Sequence, residues 1–132
     1  MADVTIKRVE DFEAIFHGGF RRVRAGLGVS SMGIALMEFP PNFIDYPDHD
    51  QAHDRQEEVY TALAGKATLS VGGEEHELSP GVWARVGPDE RRKITTGEEG
   101  ARVLAVGATP GEPYVAPDYT EEGAADPVGK HF

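Results

Sequence analysis

Residues 58–86, EVYTALAGKATLSVGGEEHELSPGVWARV, decide the fold. Two runs that read as strands, Glu58–Ala64 and Lys66–Val71, are separated by Gly65. Gly72-Gly73 then links Lys66–Val71 to Glu74–Leu78. A Gly-Gly pair between two such runs signals a hairpin, because tight two-residue turns need positive φ. Ser79-Pro80-Gly81 makes the next turn, Val82–Val86 the next strand and Gly87-Pro88-Asp89 another turn. Short strands at regular spacing, with no helical period between them, predict an all-β sandwich or barrel.

Outward from this block the pattern continues. Gly33–Phe39 (GIALMEF) is a strand ended by Pro40-Pro41, and Arg92–Thr95 and Arg102–Val106 complete the set. A helical period occurs in residues 7–17, where Val9, Phe12, Ile15 and Phe16 fall on one face and Gly18-Gly19 provides a stop. A short N-terminal helix is expected there. After Gly107 the chain holds four of its nine prolines, which predicts an extended tail with Tyr114 and Tyr119 packed on the barrel wall. No repeat or linker divides the chain, so residues 1–132 read as one domain, with a barrel core at about 33–107 and a tail at 108–132.

Composition narrows the function. The chain has no cysteine, which removes disulfides, thiol nucleophiles and thiolate metal sites. A formal charge of −10 argues against nucleic acid, since phosphate contacts need clustered Lys and Arg. The basic groups Arg21-Arg22-Arg24 and Arg91-Arg92-Lys93 are short and separated. No apolar run is long enough to span a bilayer, and the first residues are too polar for a signal peptide. The expectation is a cytoplasmic protein whose partner is a small molecule, neither nucleic acid nor membrane.

The chemistry concentrates in Tyr46–Tyr60, YPDHDQAHDRQEEVY. His49, Gln51 and His53 share the parity of one side of an extended strand, and Glu58 follows. Two imidazoles and a carboxylate suit Fe, Ni, Mn, Zn or Cu and leave positions open for substrate, with a Gln51 amide oxygen as a further donor. The competing reading makes His49 and His53 loop residues and Glu58 a hydrogen-bonded barrel carboxylate. Three other motifs fail. His49-Asp50-Gln51-Ala52-His53 lacks the helix that a H-E-x-x-H zinc site needs. Asp48-x-Asp50 lacks the glycine and glutamate of a calcium loop, and "AGLGVSS" lacks the spacing of a phosphate loop. Tyr60 and Trp83 are expected to fill the interior or line a cavity. His17 is expected at a helix C-terminus, His76 at a sheet edge and His131 in the tail.

These motifs carry a resemblance. Glu58 with Gly65 seven residues on, the hairpin TLSVGGEEHELSPG, and Gly81-VWARV-Gly87-Pro88 leading to Arg92 together resemble a small single-domain cupin of the conserved-barrel type, from about Glu38 to Gly107. The flanks resemble an uncharacterised subgroup. The resemblance implies a jelly-roll barrel, a homodimer, and a metal site of three histidines and a glutamate. The sequence departs from that set twice. The His-x-His pair reads His49-Asp50-Gln51, and Arg92 stands where the last histidine belongs. A guanidinium has no lone pair to give a cation. Three functions stay open. One is a metal-dependent dioxygenase, isomerase or decarboxylase. Another is a metal-free cupin holding a small anion through Arg92, with Tyr60 and Trp83 in its wall. The last is a non-catalytic, structural dimer. Beside the second stands a simpler role for Arg92, an ion pair with Glu58 that replaces the metal electrostatically.

Overall fold

The computed structural model describes residues 2–128, so His131 lies outside the described residues. Two-residue strands β1 (Ala14–Ile15) and β2 (Phe20–Arg21) precede a short helix α1 (Val23–Leu27). Then follow β3 (Gly33–Phe39), β4 (Glu57–Val71), β5 (Glu74–Leu78), β6 (Trp83–Val86) and β7 (Arg92–Ala108). The sheet runs β1-β2-β3-β7-β4-β5, with β6 also on β4, and every pairing is antiparallel. This is the jelly-roll barrel that the turn spacing predicts.

Two long strands organise it. The runs expected as separate strands at Glu58–Ala64 and Lys66–Val71 are one strand, as are those at Arg92–Thr95 and Arg102–Val106. What reads as a gap is a bend. The β4–β7 ladder shifts register between Ala62 and Ala64 and again between Gly65 and Ala67, then resumes. Gly65 (φ 69°) and Gly100 (φ 65°) sit at this bend in the left-handed region. A Cβ on Gly65 would collide with the Gly100 carbonyl, and one on Gly100 would lie 2.7 Å from the Phe39 carbonyl oxygen. Only glycine allows backbones to approach this closely.

Inside the bend, alternate residues make the core. Met37 and Phe39 of β3, Tyr60 and Ala62 of β4, and Val103 and Ala105 of β7 face inward, with Leu69, Leu78, Val86 and Ile94. The loop between β3 and β4 follows β7, where Phe43 N donates to Thr96 Oγ1 (2.9 Å) and Thr96 N to Phe43 O (3.0 Å). Phe43 stacks on Phe39 at 5.1 Å.

The N-terminal segment differs from expectation. The helix lies at Val23–Leu27, not at 7–17. Phe12 and Ile15 are buried as their spacing requires, but through a hairpin in which Ile15 pairs with Phe20. Phe16 (φ 55°) and His17 (φ 57°) take left-handed conformations that no α-helix admits, so His17 lies in a turn. The tail is held more closely than its composition suggests. Arg22, buried beneath it, donates from Nε to Tyr119 O (2.8 Å) and from Nη2 to Ala124 O (2.9 Å), and pairs with Glu13. Tyr119 meets Phe16 and Phe20 edge-on. Among the described residues no helix is long and apolar enough to cross a membrane.

Gly65→Ala should lower unfolding free energy by about 2–4 kcal/mol, combining left-handed strain with the collision at Gly100. Gly72→Ala, at φ 60° with nothing within 4 Å, should cost only about 1 kcal/mol. Urea unfolding midpoints of the two variants check this, and equal losses would show that the bend tolerates a side chain.

Candidate functional site

β4 turns Glu58 and Tyr60 to the same side, two residues apart, and β7 begins with Arg92 on the inward parity of Ile94. The loop before β4 is tied to this strand start. His49 N donates to Arg92 O (3.1 Å) and Arg92 N to His49 O (2.8 Å), an isolated bridge that seats His49 beside the barrel.

The centre is an ion pair. Arg92 has no solvent exposure; its Nη1 donates to Glu58 Oε1 (2.8 Å) and its Nη2 to Gly87 O (2.7 Å). Arg92 Nε has no hydrogen-bond partner among the described residues. Tyr60 OH donates to the same Glu58 oxygen at 2.8 Å, and Tyr46 OH lies 3.4 Å from Tyr60 OH. His49 Nε2 stands 3.8 Å from Glu58 Oε1, while its Nδ1 is 3.0 Å from Pro47 O. Among the described residues these approaches to Glu58 are all to Oε1. The Glu58 and His49 side chains keep 17% and 27% exposure, so they, not Arg92 or Tyr60, face outward from the group.

Electrostatics follow from burial. Desolvation pushes the Tyr60 hydroxyl far above its usual range, with the Tyr46 hydroxyl and the Glu58 charge adding to it. Tyr46 is raised mainly by burial too. Both phenols therefore stay protonated at neutral pH. The His49 pKa is raised, first by its interaction with Glu58, against the opposing effect of burial.

The expected metal donors are not gathered. Gln51 places its amide nitrogen 3.0 Å from both Asp54 carboxylate oxygens and its backbone N–H on Pro88 O (2.9 Å). His53 is 74% exposed, with Nε2 3.4 Å from Asp54 Oδ2. The shared parity assumed an extended chain, but Arg55 N bonds back to Gln51 O (2.8 Å) and Arg55 takes φ 60°, so the loop turns away. Among the described residues no three of His, Asp and Glu converge to hold a metal ion. His49 and Glu58 remain as a pair, with a permanent cation already on the carboxylate. This donor set does not fit a divalent ion.

Trp83 is also displaced from its expected place. It is 65% exposed, because it alternates with Ala84 and Val86, which take the inward positions of β6. Tyr46 and Asp54 belong to the local architecture and were not singled out by motif. Asp54 organises the loop by accepting from Gln51, Gln56 N (3.1 Å) and Gln56 Nε2 (2.9 Å). A surface cleft of about 550 Å³ beside the β4–β5 turn, lined by Asp48, Gly72, Glu74 and Lys93, includes none of His49, Glu58, Tyr60 or Arg92.

An antiparallel jelly roll with polar side chains gathered inside one end defines a class of small β-barrel proteins. Residues 35–107 match the cupin domain model, and the chain belongs to the cupin family. A cupin protein from Bacteroides fragilis shares the fold with a TM-score of 0.67 at 20% identity, over 95% of this chain and 98% of that one. A sugar phosphate isomerase from a cupin superfamily, from Silicibacter pomeroyi, reaches 0.67 at 20% identity over 79% and 75% of the two chains. A putative sugar phosphate isomerase from Acidithiobacillus ferrooxidans reaches 0.59 at 22% over 74% and 65%. No curated protein matches the chain.

Two outcomes follow for the ion pair. Arg92→Met should cost about 3 kcal/mol, since it strands a largely buried carboxylate, and Arg92→Met with Glu58→Leu should recover most of the loss. Additive losses in a denaturation cycle would show that the pair is not coupled. For His49 the folded pKa lies above its ordinary value, so its contribution is fully present below about pH 6.5 and is lost as pH rises through the raised folded value. Wild type should therefore lose stability relative to His49→Gln across that window. In Glu58→Gln the His49 NMR titration midpoint should fall, and an unmoved midpoint would contradict the assigned cause.

Proposed function

We propose that the chain is a small-molecule-binding cupin that works through the Arg92–Glu58 ion pair in place of a metal ion. The observation that carries this reading is the fully buried Arg92 guanidinium, bonded at 2.8 Å to the carboxylate that a metal would need. Arg92 acts as an internal counter-ion. With Nη1 on Glu58 and Nη2 on Gly87 O, it is not the first contact for an anion from solvent. The polar groups that offer themselves are Glu58 Oε2 and the imidazole of His49. The ligand that suits them is a small molecule rich in hydroxyl or amino donors. An overall charge of −10 disfavours anions further. Arg92 supplies the counter-charge beside Glu58, Tyr60 fixes the orientation of its carboxyl group, and His49 exchanges protons at the rim.

The test combines elemental analysis with thermal shifts on protein purified without a metal-affinity tag. Wild type should carry no stoichiometric Fe, Ni, Mn, Zn or Cu, and adding these ions should leave its melting temperature unchanged. Polyols and amino alcohols at about 10 mM should raise it, with the rise lost in Glu58→Gln. A stoichiometric metal that disappears in Glu58→Gln would overturn the proposal. So would stabilisation by carboxylates alone that vanishes in Arg92→Lys.

A further inference from the structure

We propose that the C-terminal segment is the outer wall of the Glu58 site, where the hydroxyls of Tyr114 and Tyr119 select a ligand carrying hydroxyls over one carrying only amines. This rests on the reading of Glu58 as the ligand's acceptor and narrows the ligand class.

The strand register shows where the wall stands. Gly33 pairs with Gly107 and Gly107 with Glu58, so the three form one row across β3, β7 and β4. Gly33 shares the inward parity of Ala35 and Met37, which pack in the core. A Cβ on Gly33 would lie 2.7 Å from the Tyr114 hydroxyl oxygen, so this tail residue covers the inward face of the row. The matching place on Gly107 is taken by Gln56 Oε1, 2.8 Å from where a Cβ would stand. At two strand spacings, the Gly33 and Glu58 backbones are roughly 10 Å apart. Polar atoms, not apolar side chains, fill the approach to Glu58 along this row.

Tyr119 stands beside it. Its ring meets Phe20 edge-on at 5.7 Å, and Phe20 pairs with Met37 on the barrel wall. The residue keeps 38% exposure, yet burial pushes its hydroxyl up, and the Glu58 charge adds to that. The hydroxyl is therefore its inward end. It contributes in turn to the raised Tyr46 and Tyr114 hydroxyls, so the three phenols share one space with Glu58. The segment is fastened there. Buried Arg22 donates to Tyr119 O and Ala124 O, Gly123 N donates to Glu13 Oε1 (2.9 Å), and Phe16 N donates to Asp126 Oδ2 (3.0 Å). A ligand meets a wall already in place.

The selectivity follows from the proton each phenol keeps. Glu58 and Gln56 Oε1 accept, whereas a protonated phenol also has a proton to place. A ligand hydroxyl gives its proton to a carboxylate and offers a lone pair to a phenol. An ammonium has no lone pair, so the phenol proton beside it is left without an acceptor, at a cost.

The experiment follows the full chain by NMR with isotope-labelled tyrosine as erythritol, or its four-carbon diamine counterpart putrescine, is added. Erythritol should move the Tyr114 and Tyr119 signals of wild type. Tyr119→Phe keeps the ring on Phe16 and Phe20 and the carbonyl on Arg22, so circular dichroism should be unchanged. It should weaken erythritol binding about three- to ten-fold, the effect of one hydrogen bond, and leave putrescine unaffected. Tyr114→Phe should act in the same direction. Erythritol binding as tight in both variants as in wild type, or an equal loss for putrescine, overturns the wall. It leaves the Glu58 acceptor standing where Glu58→Gln still abolishes binding. Failure of both compounds to bind wild type removes the Glu58 reading and this inference with it. A further arm needs no ligand: removing the charge in Glu58→Gln should lower the Tyr119 titration midpoint and move that of Tyr114 less. An unmoved Tyr119 midpoint would place its hydroxyl away from Glu58 and overturn the proposal.

Discussion

The buried guanidinium of Arg92 is the constraint around which the rest of the barrel centre is arranged. A charge with no solvent exposure is tolerated only where a counter-charge and acceptors meet it. Glu58 supplies the charge and Gly87 O a further acceptor. These partners come from β4 and the β6–β7 turn, while the donor comes from the start of β7. A misplacement of any of the three elements leaves a charge unmatched. Tyr60 then completes Glu58 from the same strand, and Tyr46 covers Tyr60 from the loop.

That convergence depends on the bend in β4 and β7. Along the C-terminal half of β4, Val71 pairs with Arg92; along its N-terminal half, Glu57 pairs with Ala108. Thus β7 starts at one end of β4 and finishes at the other. A flat ladder would hold Arg92 and Glu58 some thirteen residues of strand apart, roughly 40 Å. Folding the ladder at Gly65 and Gly100 brings their side chains to 2.8 Å. The two glycines are therefore conditions of the polar centre as much as of the fold.

Much of the barrel was legible because its signals are local. Gly72-Gly73 fixed the β4–β5 hairpin, and Gly33–Phe39 and Glu74–Leu78 match their strands residue for residue. Long strands read as pairs of short ones, since a glycine that permits a bend looks like one that ends a strand. Residues 7–17 satisfy helical and hairpin burial alike, and only Phe16 and His17 with positive φ separate them. For the site, the Glu58–Arg92 ion pair was readable as one of two roles for Arg92, through the resemblance that puts Arg92 where the last histidine of a metal site belongs. His53 was misplaced because parity holds only for extended chain, and the turn closed by Asp54 breaks it. For Trp83 the neighbouring sequence holds the answer: Arg85 shares its parity, and an outward arginine marks an outward face.

A guanidinium differs from a metal in ways that limit the chemistry of this centre. It is planar, permanently protonated and offers only donors, so it can pair with Glu58 and orient it but neither binds a ligand's lone pair as a Lewis acid nor exchanges protons. Tyr60 and Tyr46 are also fixed, because burial keeps both phenols protonated. Among the described residues, proton movement near neutrality is left to His49, the imidazole that faces Glu58. Its imidazole is the exposed end of a chain running through Glu58 to Arg92, so a change in its charge is felt first by the carboxylate that would hold a ligand. Binding at Glu58 Oε2 and protonation of His49 are thus coupled by geometry: a ligand that donates to Glu58 weakens its hold on the imidazolium, and deprotonating His49 frees the carboxylate to accept more strongly.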